Sequence, residues 1–205
     1  MPAAIDSARV TALAHRVAPG ASPPAPAAVD ALVSFGELLL EWNQRINLGG
    51  ARLEEELVER HFADAFAAGT VLPQAAHLAD VGSGGGLPAI PLAVLRPDLA
   101  VELFEPTAKK VAFLRTAVRT LALSGRVTVH ARRVEAPLPA ELAARFDAAS
   151  SRATFDPRLW LLLGRGLVRP GGKVLVFATG HEAPPLPPAV QALRYGPDRQ
   201  LLVYD

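Results

Sequence analysis

The chain has 205 residues, of which 50% are hydrophobic and 20% charged, enough apolar material for one sizeable core and too little charge for a disordered chain. It contains no cysteine, which excludes disulfides, thiolate metal sites and a cysteine nucleophile, and no metal site is expected. A formal net charge of +1 excludes attraction of the whole molecule to nucleic acid, so any such contact must come from local clusters.

The N-terminus lacks a basic patch followed by an apolar run, and no stretch reaches the roughly 18 apolar residues that span a bilayer. A soluble, cytoplasmic protein without membrane contact is therefore expected. Residues 1–17 can form a short amphipathic helix, and the Pro/Ala-rich stretch that follows reads as a linker. Residues 1–28 are thus expected to be an extension, with a single domain over 29–205: helices over 29–75, then an α/β core over 76–205. From Val29 the positions Leu32, Phe35, Leu39, Trp42 and Ile46 recur at three- and four-residue steps and fall on one helix face. A second helix is predicted over 53–69, with acids in its first turns and Gly69 near its close.

Beyond it, short apolar runs alternate with helical segments: LADVG, LPAIPLAVL, AVELFE, KKVAFLRTAVRTLAL, RVTVHA, FDAASS and KVLVFA. This alternation predicts a Rossmann-like α/β domain with a parallel sheet reached by right-handed crossovers. Two basic clusters stand out, Lys109, Lys110, Arg115 and Arg119, then Arg126, His130, Arg132 and Arg133. Each reads equally as a solvated face or as a contact for anions.

The first apolar run ends in Asp80-Val81-Gly82-Ser83-Gly84-Gly85-Gly86, where glycines permit a tight turn and bring backbone N–H groups to a ligand. Glu105 lies 21 positions after Gly84, at the end of the next predicted strand, where a carboxylate can accept from ribose hydroxyls. The spacing is Gly-x-Gly-x-Gly rather than the dinucleotide fingerprint, and Asp80 would repel a pyrophosphate while suiting a cationic sulfonium ligand with an amino group. S-adenosyl-L-methionine, leaving as S-adenosyl-L-homocysteine, is favoured over a dinucleotide. An NAD-dependent oxidoreductase or a nucleotide-binding module is the remote alternative. Methylation at pyrimidine carbon-5 commonly uses a cysteine, which is absent. Neither Pro184-Pro185 nor Pro187-Pro188 is followed by the aromatic residue typical of exocyclic-amine methylation. A target that is already nucleophilic, such as a ring nitrogen, remains.

From about Leu38 onward the chain resembles the bacterial 16S ribosomal RNA small-subunit methyltransferase G family (RsmG/GidB), also called glucose-inhibited division protein B. The resemblance is carried by Trp42-Asn43, Ile46-Asn47-Leu48, Arg60-His61 with Asp64, Asp80 to Ala93, Glu105, Lys109-Lys110 and Phe113-Leu114. It continues through Arg133-Val134-Glu135, Phe146-Asp147 and Ser151-Arg152-Ala153. It implies a mostly parallel seven-stranded sheet with helices on both faces and methyl transfer to N7 of a guanine in 16S rRNA, within the 30S subunit, by a monomer. It also implies that Gly82, Gly84 and Leu87 line the methionine part of the cofactor, Glu105 the ribose and Val134-Glu135 the adenine. Asp80 lies beside them, and Arg152 is the candidate catalytic residue by the cofactor; it could instead simply pair with an acid such as Asp80 or Glu135.

Arg60, His61, Lys109, Arg133 and Arg199 are candidates for phosphate or base contacts, since affinity for nucleic acid depends on such cations. His61 equally fits a histidine hydrogen-bonded to Asp64. The chain departs from the family at Gly49, Ala65, Pro106 and Thr179, the last where a lysine is usual. A diverged relative methylating another RNA or a small molecule is the alternative that these departures leave open.

Overall fold

The computed structural model describes residues 5–48, 54–180 and 186–205; Gly49, Leu53 and Pro184-Pro185 lie outside them. Helix α1 (Ser7–Val17) starts at Asp6, whose carboxylate accepts from the Ala8 amide at 2.9 Å, satisfying one of the donors a helix start leaves open. Val10, Leu13, Ala14 and Val17 form its buried stripe. α1 shares its core with the helices that follow. The expected linker is shorter than its Pro/Ala composition suggests, because Pro26 serves as the first residue of α2 (Pro26–Asn43), a position where its fixed φ and missing N–H cost nothing.

α2 buries Val29, Leu32, Phe35 and Leu39, as the periodicity predicts. It stops at Asn43, so Ile46 is held in the following turn and not on the helix. The Asn43 side chain accepts from the Leu48 amide at 3.0 Å and ties that turn down. The second helix is interrupted: α3 (Glu54–Glu56) passes into a π-helical segment, Leu57–Phe62, and then into α4 (Ala63–Val71). It runs past Gly69, which does not cap it.

The sheet has seven strands in the order β3-β2-β1-β4-β5-β7-β6. They are β1 (His77–Val81), β2 (Ala100–Phe104), β3 (Val127–His130), β4 (Phe146–Ser151), β5 (Val168–Thr179), β6 (Gln191–Gly196) and β7 (Arg199–Tyr204). The first five pair in parallel, and β7 runs antiparallel to β5 and β6. The parallel links are made by α5 (Ala89–Leu95), α6 (Ala108–Thr120) and α7 (Pro157–Leu167). α7 is capped by Asp156, which accepts from the Arg158 amide at 2.9 Å.

Period-two alternation divides the strand side chains between two cores. Leu78, Val101, Leu103, Ala148 and Leu175 face the larger one, with α1, α2, α4, α5 and α6. Ala79, Val81, Phe104, Val174 and Val176 face the smaller one under α7. There Trp160 Nε1 donates to the Leu175 carbonyl at 2.8 Å, so the indole is buried with its donor satisfied. Residues 131–145, between β3 and β4, contain no helix.

Phe35 is the hub of the larger core, its ring 6.4 Å from those of both Phe62 and Phe113. It is fully buried, so Phe35→Ala is expected to cost about 3–5 kcal/mol through lost burial and the cavity left behind. A lower denaturation midpoint at unchanged slope is the readout.

Candidate functional site

β1 delivers the chain into the glycine loop at the C-terminal edge of the sheet, where α/β proteins bind ligands. Gly82 has φ +75°, and a Cβ there would collide with the Thr154 side chain. Gly84 has φ +54° with the Leu48 carbonyl close by. Neither position accepts an ordinary side chain without strain. The loop is stitched to β2: the Gly82 and Ser83 amides donate to the Phe104 carbonyl at 2.9 and 3.1 Å. The Gly84 amide donates to Glu105 Oε2 at 2.9 Å. Glu105 Oε1 accepts from the Thr107 amide at 2.8 Å, so this buried carboxylate orders the loop as well as standing at the expected ribose position.

Asp80 is buried. Its Oδ1 accepts from Ser150 Oγ at 2.7 Å, while Oδ2 has no partner. Burial pushes its pKa up to about 6, against the opposing Ser150 hydrogen bond and the charge of Arg152. A cation placed beside Oδ2 would restore the charged form.

Two cavities open beside this loop. The first, about 150 Å³, is lined by Leu48, Gly82, Gly84, Leu87, Arg152 and Thr154, with Lys110 at its wall. The second, about 340 Å³, is lined by Arg60, His61, Arg152, Thr179, Asp198 and Arg199, with Glu56. Arg152, just after β4, belongs to both. Its place is fixed by Asp64 on α4, whose side chain is fully buried: Arg152 Nε lies 2.6 Å from Oδ2. Asp64 Oδ1 takes Arg199 Nη2 from β7 and the Tyr195 hydroxyl from β6, the latter at 2.6 Å. The partner acid of Arg152 is therefore Asp64, not Asp80 or Glu135.

His61, the fifth residue of the π-helical segment, is 5% exposed, and neither ring nitrogen has a partner. The expected hydrogen bond to Asp64 is not made, because both carboxylate oxygens are taken by the arginines and the tyrosine. Burial, then the charges of Arg152, Arg199 and Arg60, pull the His61 pKa down to about 3, so the imidazole is neutral throughout the ordinary pH range. Burial and the neighbouring Asp64 push the Tyr195 hydroxyl well up, keeping it a donor.

Of the sequence candidates, the structure brings Gly82, Gly84, Leu87 and Arg152 together at the first cavity, and Arg60, His61 and Arg199 at the second. Val134 is buried in the smaller core, Glu135 and Arg133 are exposed, and Lys109 is exposed in the first turn of α6. Its neighbour Lys110 reaches the cavity wall instead. Sequence reading did not single out Thr154, Lys110 or Tyr195 for the site, and it treated Asp64 as a family match and a possible partner of His61, not of the arginines. A lone acid within the apolar run of α4 was the available sign that buried cations converge there. Thr179, where the resemblance led us to expect a lysine, is paired in register with Arg199 across β5 and β7, so β7 brings a guanidinium to the same cavity.

The Asp80 shift has a defined sign. Its folded pKa of about 6 exceeds the unfolded value of about 4, so the folded state is penalised above about pH 6 and free of penalty below about pH 4. Asp80→Asn keeps the acceptor for Ser150 and is expected to stabilise the ligand-free protein at pH 7.5 by on the order of 2–3 kcal/mol. In thermal melts followed against pH, that gain should vanish near pH 4. Asp64→Ala leaves two arginines unpaired in a buried site and is expected to destabilise by roughly 3–5 kcal/mol, read from denaturant unfolding.

A family model described as rRNA small subunit methyltransferase G (GidB) matches residues 28–183. The chain is 38% identical over 172 residues to the ribosomal RNA small subunit methyltransferase G of Anaeromyxobacter sp. (strain Fw109-5), covering 84% of this chain and 79% of that protein. It is 39% identical over 142 residues to the protein of the same name from Myxococcus xanthus (strain DK1622), covering 68% and 64%. Among solved structures, a SAM dependent methyltransferase from Aquifex aeolicus shares the fold, with a TM-score of 0.50 at 16% identity over 64% of this chain and 82% of that one. The glycine loop, its acidic tether and the paired cavities thus belong to a member of the GidB family of rRNA small subunit methyltransferase G proteins.

Proposed function

We propose that this chain transfers the methyl group of S-adenosylmethionine to N7 of a guanine in 16S rRNA. The observation that carries this is the meeting of two cavities at Arg152, one walled by the glycine loop and the other by Arg60, His61, Arg152 and Arg199 together with Glu56 and Asp198. The glycine-loop side suits the donor: Gly82 and Gly84 leave no room for side chains, and Asp80, in the strand that leads into the loop, holds a buried carboxylate oxygen without a partner that suits a cationic ligand. Gly82, Gly84 and Leu87 hold the methionine part and Val134-Glu135 bounds the adenine. Glu105 takes the ribose hydroxyls, since each of its oxygens, although already accepting one N–H, has a further lone pair.

S-adenosylmethionine supplies a methyl group on cationic sulfur, open to in-line displacement by a lone pair. Guanine N7 is an acceptor with no proton to remove, so the protein has no need of a general base. Its residues hold the two reacting groups in contact and exclude other orientations. Arg152, between the cavities, positions the acceptor base against the donor, and Arg60 and Lys110 face the incoming RNA, with Lys109 and Arg133 as outer phosphate contacts. On this reading the protein works in the cytoplasm, as a monomer acting on the 30S subunit. Among the described residues no helix is long and apolar enough to cross a membrane.

Labelled S-adenosylmethionine incubated with 30S subunits lacking their own modification tests this. Label is expected in 7-methylguanine of 16S rRNA, and Glu105→Ala, which frees the Gly84 amide, should reduce it by about tenfold or more. Label in another nucleoside, or in none while S-adenosylhomocysteine still binds, would reject the assignment of the target.

A further inference from the structure

The second cavity has a chemical asymmetry. Arg60, Arg152, Arg199 and Thr179 bring donors to its wall, Glu56 and Asp198 bring carboxylates, and His61 brings the one neutral ring. His61 sits among them 95% buried, with both ring nitrogens unpartnered. A buried imidazole left without partners costs free energy, about 1–3 kcal/mol by the usual measure of an unmade hydrogen bond, and such orphans call for an explanation. Its backbone adds a second observation, since the π-helical segment Leu57–Phe62 that carries it is a rare conformation found disproportionately at functional sites.

We propose that His61 is a base-reading residue, its imidazole accepting from the N1–H edge of the target guanine while Arg152 donates to O6. The inference rests on the guanine-N7 activity proposed above. O6 lies beside N7 on the same edge of the base, so a guanidinium at the junction of the cavities that engages O6 leaves N7 facing the donor cavity. The next group around the ring is N1–H, a donor, and it meets the neutral His61 ring, which lies among the charged residues of the wall. Adenine fails at the first step, because its 6-amino group is a donor and would stand against the Arg152 guanidinium. The low proton affinity of His61 serves this role, since a protonated ring could not accept. At about 340 Å³ the cavity lies at the lower end of the range for small-molecule sites, and a single extruded base is what it would hold.

The test compares wild type, His61→Leu and His61→Gln on 30S subunits lacking the modification, with S-adenosylhomocysteine binding measured in parallel. His61→Leu is expected to lower kcat/KM by about tenfold or more with unchanged affinity for S-adenosylhomocysteine. His61→Gln, which restores a neutral acceptor, is expected to recover most of the loss. Wild-type kcat/KM in the leucine variant would overturn the proposal. So would equal loss in both variants, or loss of cofactor affinity in step with activity, either of which marks a packing role. If the wild-type protein puts no label into guanine, the activity itself falls, and this inference falls with it.

Discussion

A single carboxylate organises the substrate side of this protein. Asp64 is fully buried and binds two guanidinium groups and a phenol that come from three different places in the chain: Arg152 after β4, Tyr195 on β6 and Arg199 on β7. Burying an ion pair rarely adds net stability, because the desolvation of both charges offsets their attraction. What it does supply here is geometry. Arg152 is held at the boundary of two cavities, and the antiparallel end of the sheet is locked onto the helices that precede it. Burial keeps His61 uncharged, and the same two arginines add to that effect. One acid therefore fixes the position of two cations that reinforce the effect of burial on a neighbouring imidazole.

The donor side is ordered by a second acid in a different way. Glu105 bonds the Gly84 amide on one oxygen and the Thr107 amide on the other, so the turn after β1 and the turn after β2 are set by one side chain. A loop of consecutive glycines is entropically costly to hold in one shape, and three amides anchored to Phe104 and Glu105 meet that cost locally. These hydrogen bonds come from the protein itself, so they lower the ordering penalty that a ligand would otherwise meet.

These two halves differ in how much the sequence discloses. The glycine loop, the acid after β2 and the alternation of strands and helices are legible because each follows from local sterics or from period, and neighbours in the chain remain neighbours in space. The Asp64 network is not legible that way: Asp64 and Tyr195 are 131 positions apart, and no spacing rule links them. The π-helical segment escapes for another reason, since LVERHF has the composition of an ordinary helix and the extra residue per turn shows only in the backbone. β6 escapes because its QALRYG side chains are exposed or half-buried on an edge strand, leaving little apolar alternation to detect. The short linker before α2 shows the limit of composition, since the same prolines that mark a loop also start a helix.

A net charge of +1 looks poor for a protein that handles RNA, and the pairing of its cations sharpens the point. Arg152 and Arg199 are bound to Asp64, Arg60 to Glu56, Arg9 and Arg16 to Glu59, and Arg132 to Glu141. An arginine already neutralised by an acid releases few counterions when a phosphate approaches, so these paired arginines should add little to backbone affinity, which is left to cations outside these pairs such as Lys109 and Arg133. On the proposed reading, selectivity comes from what the base meets inside the second cavity rather than from attraction to the backbone. This is consistent with a buried, uncharged histidine between fixed guanidinium groups, an arrangement that does little for affinity and a great deal for the choice of base.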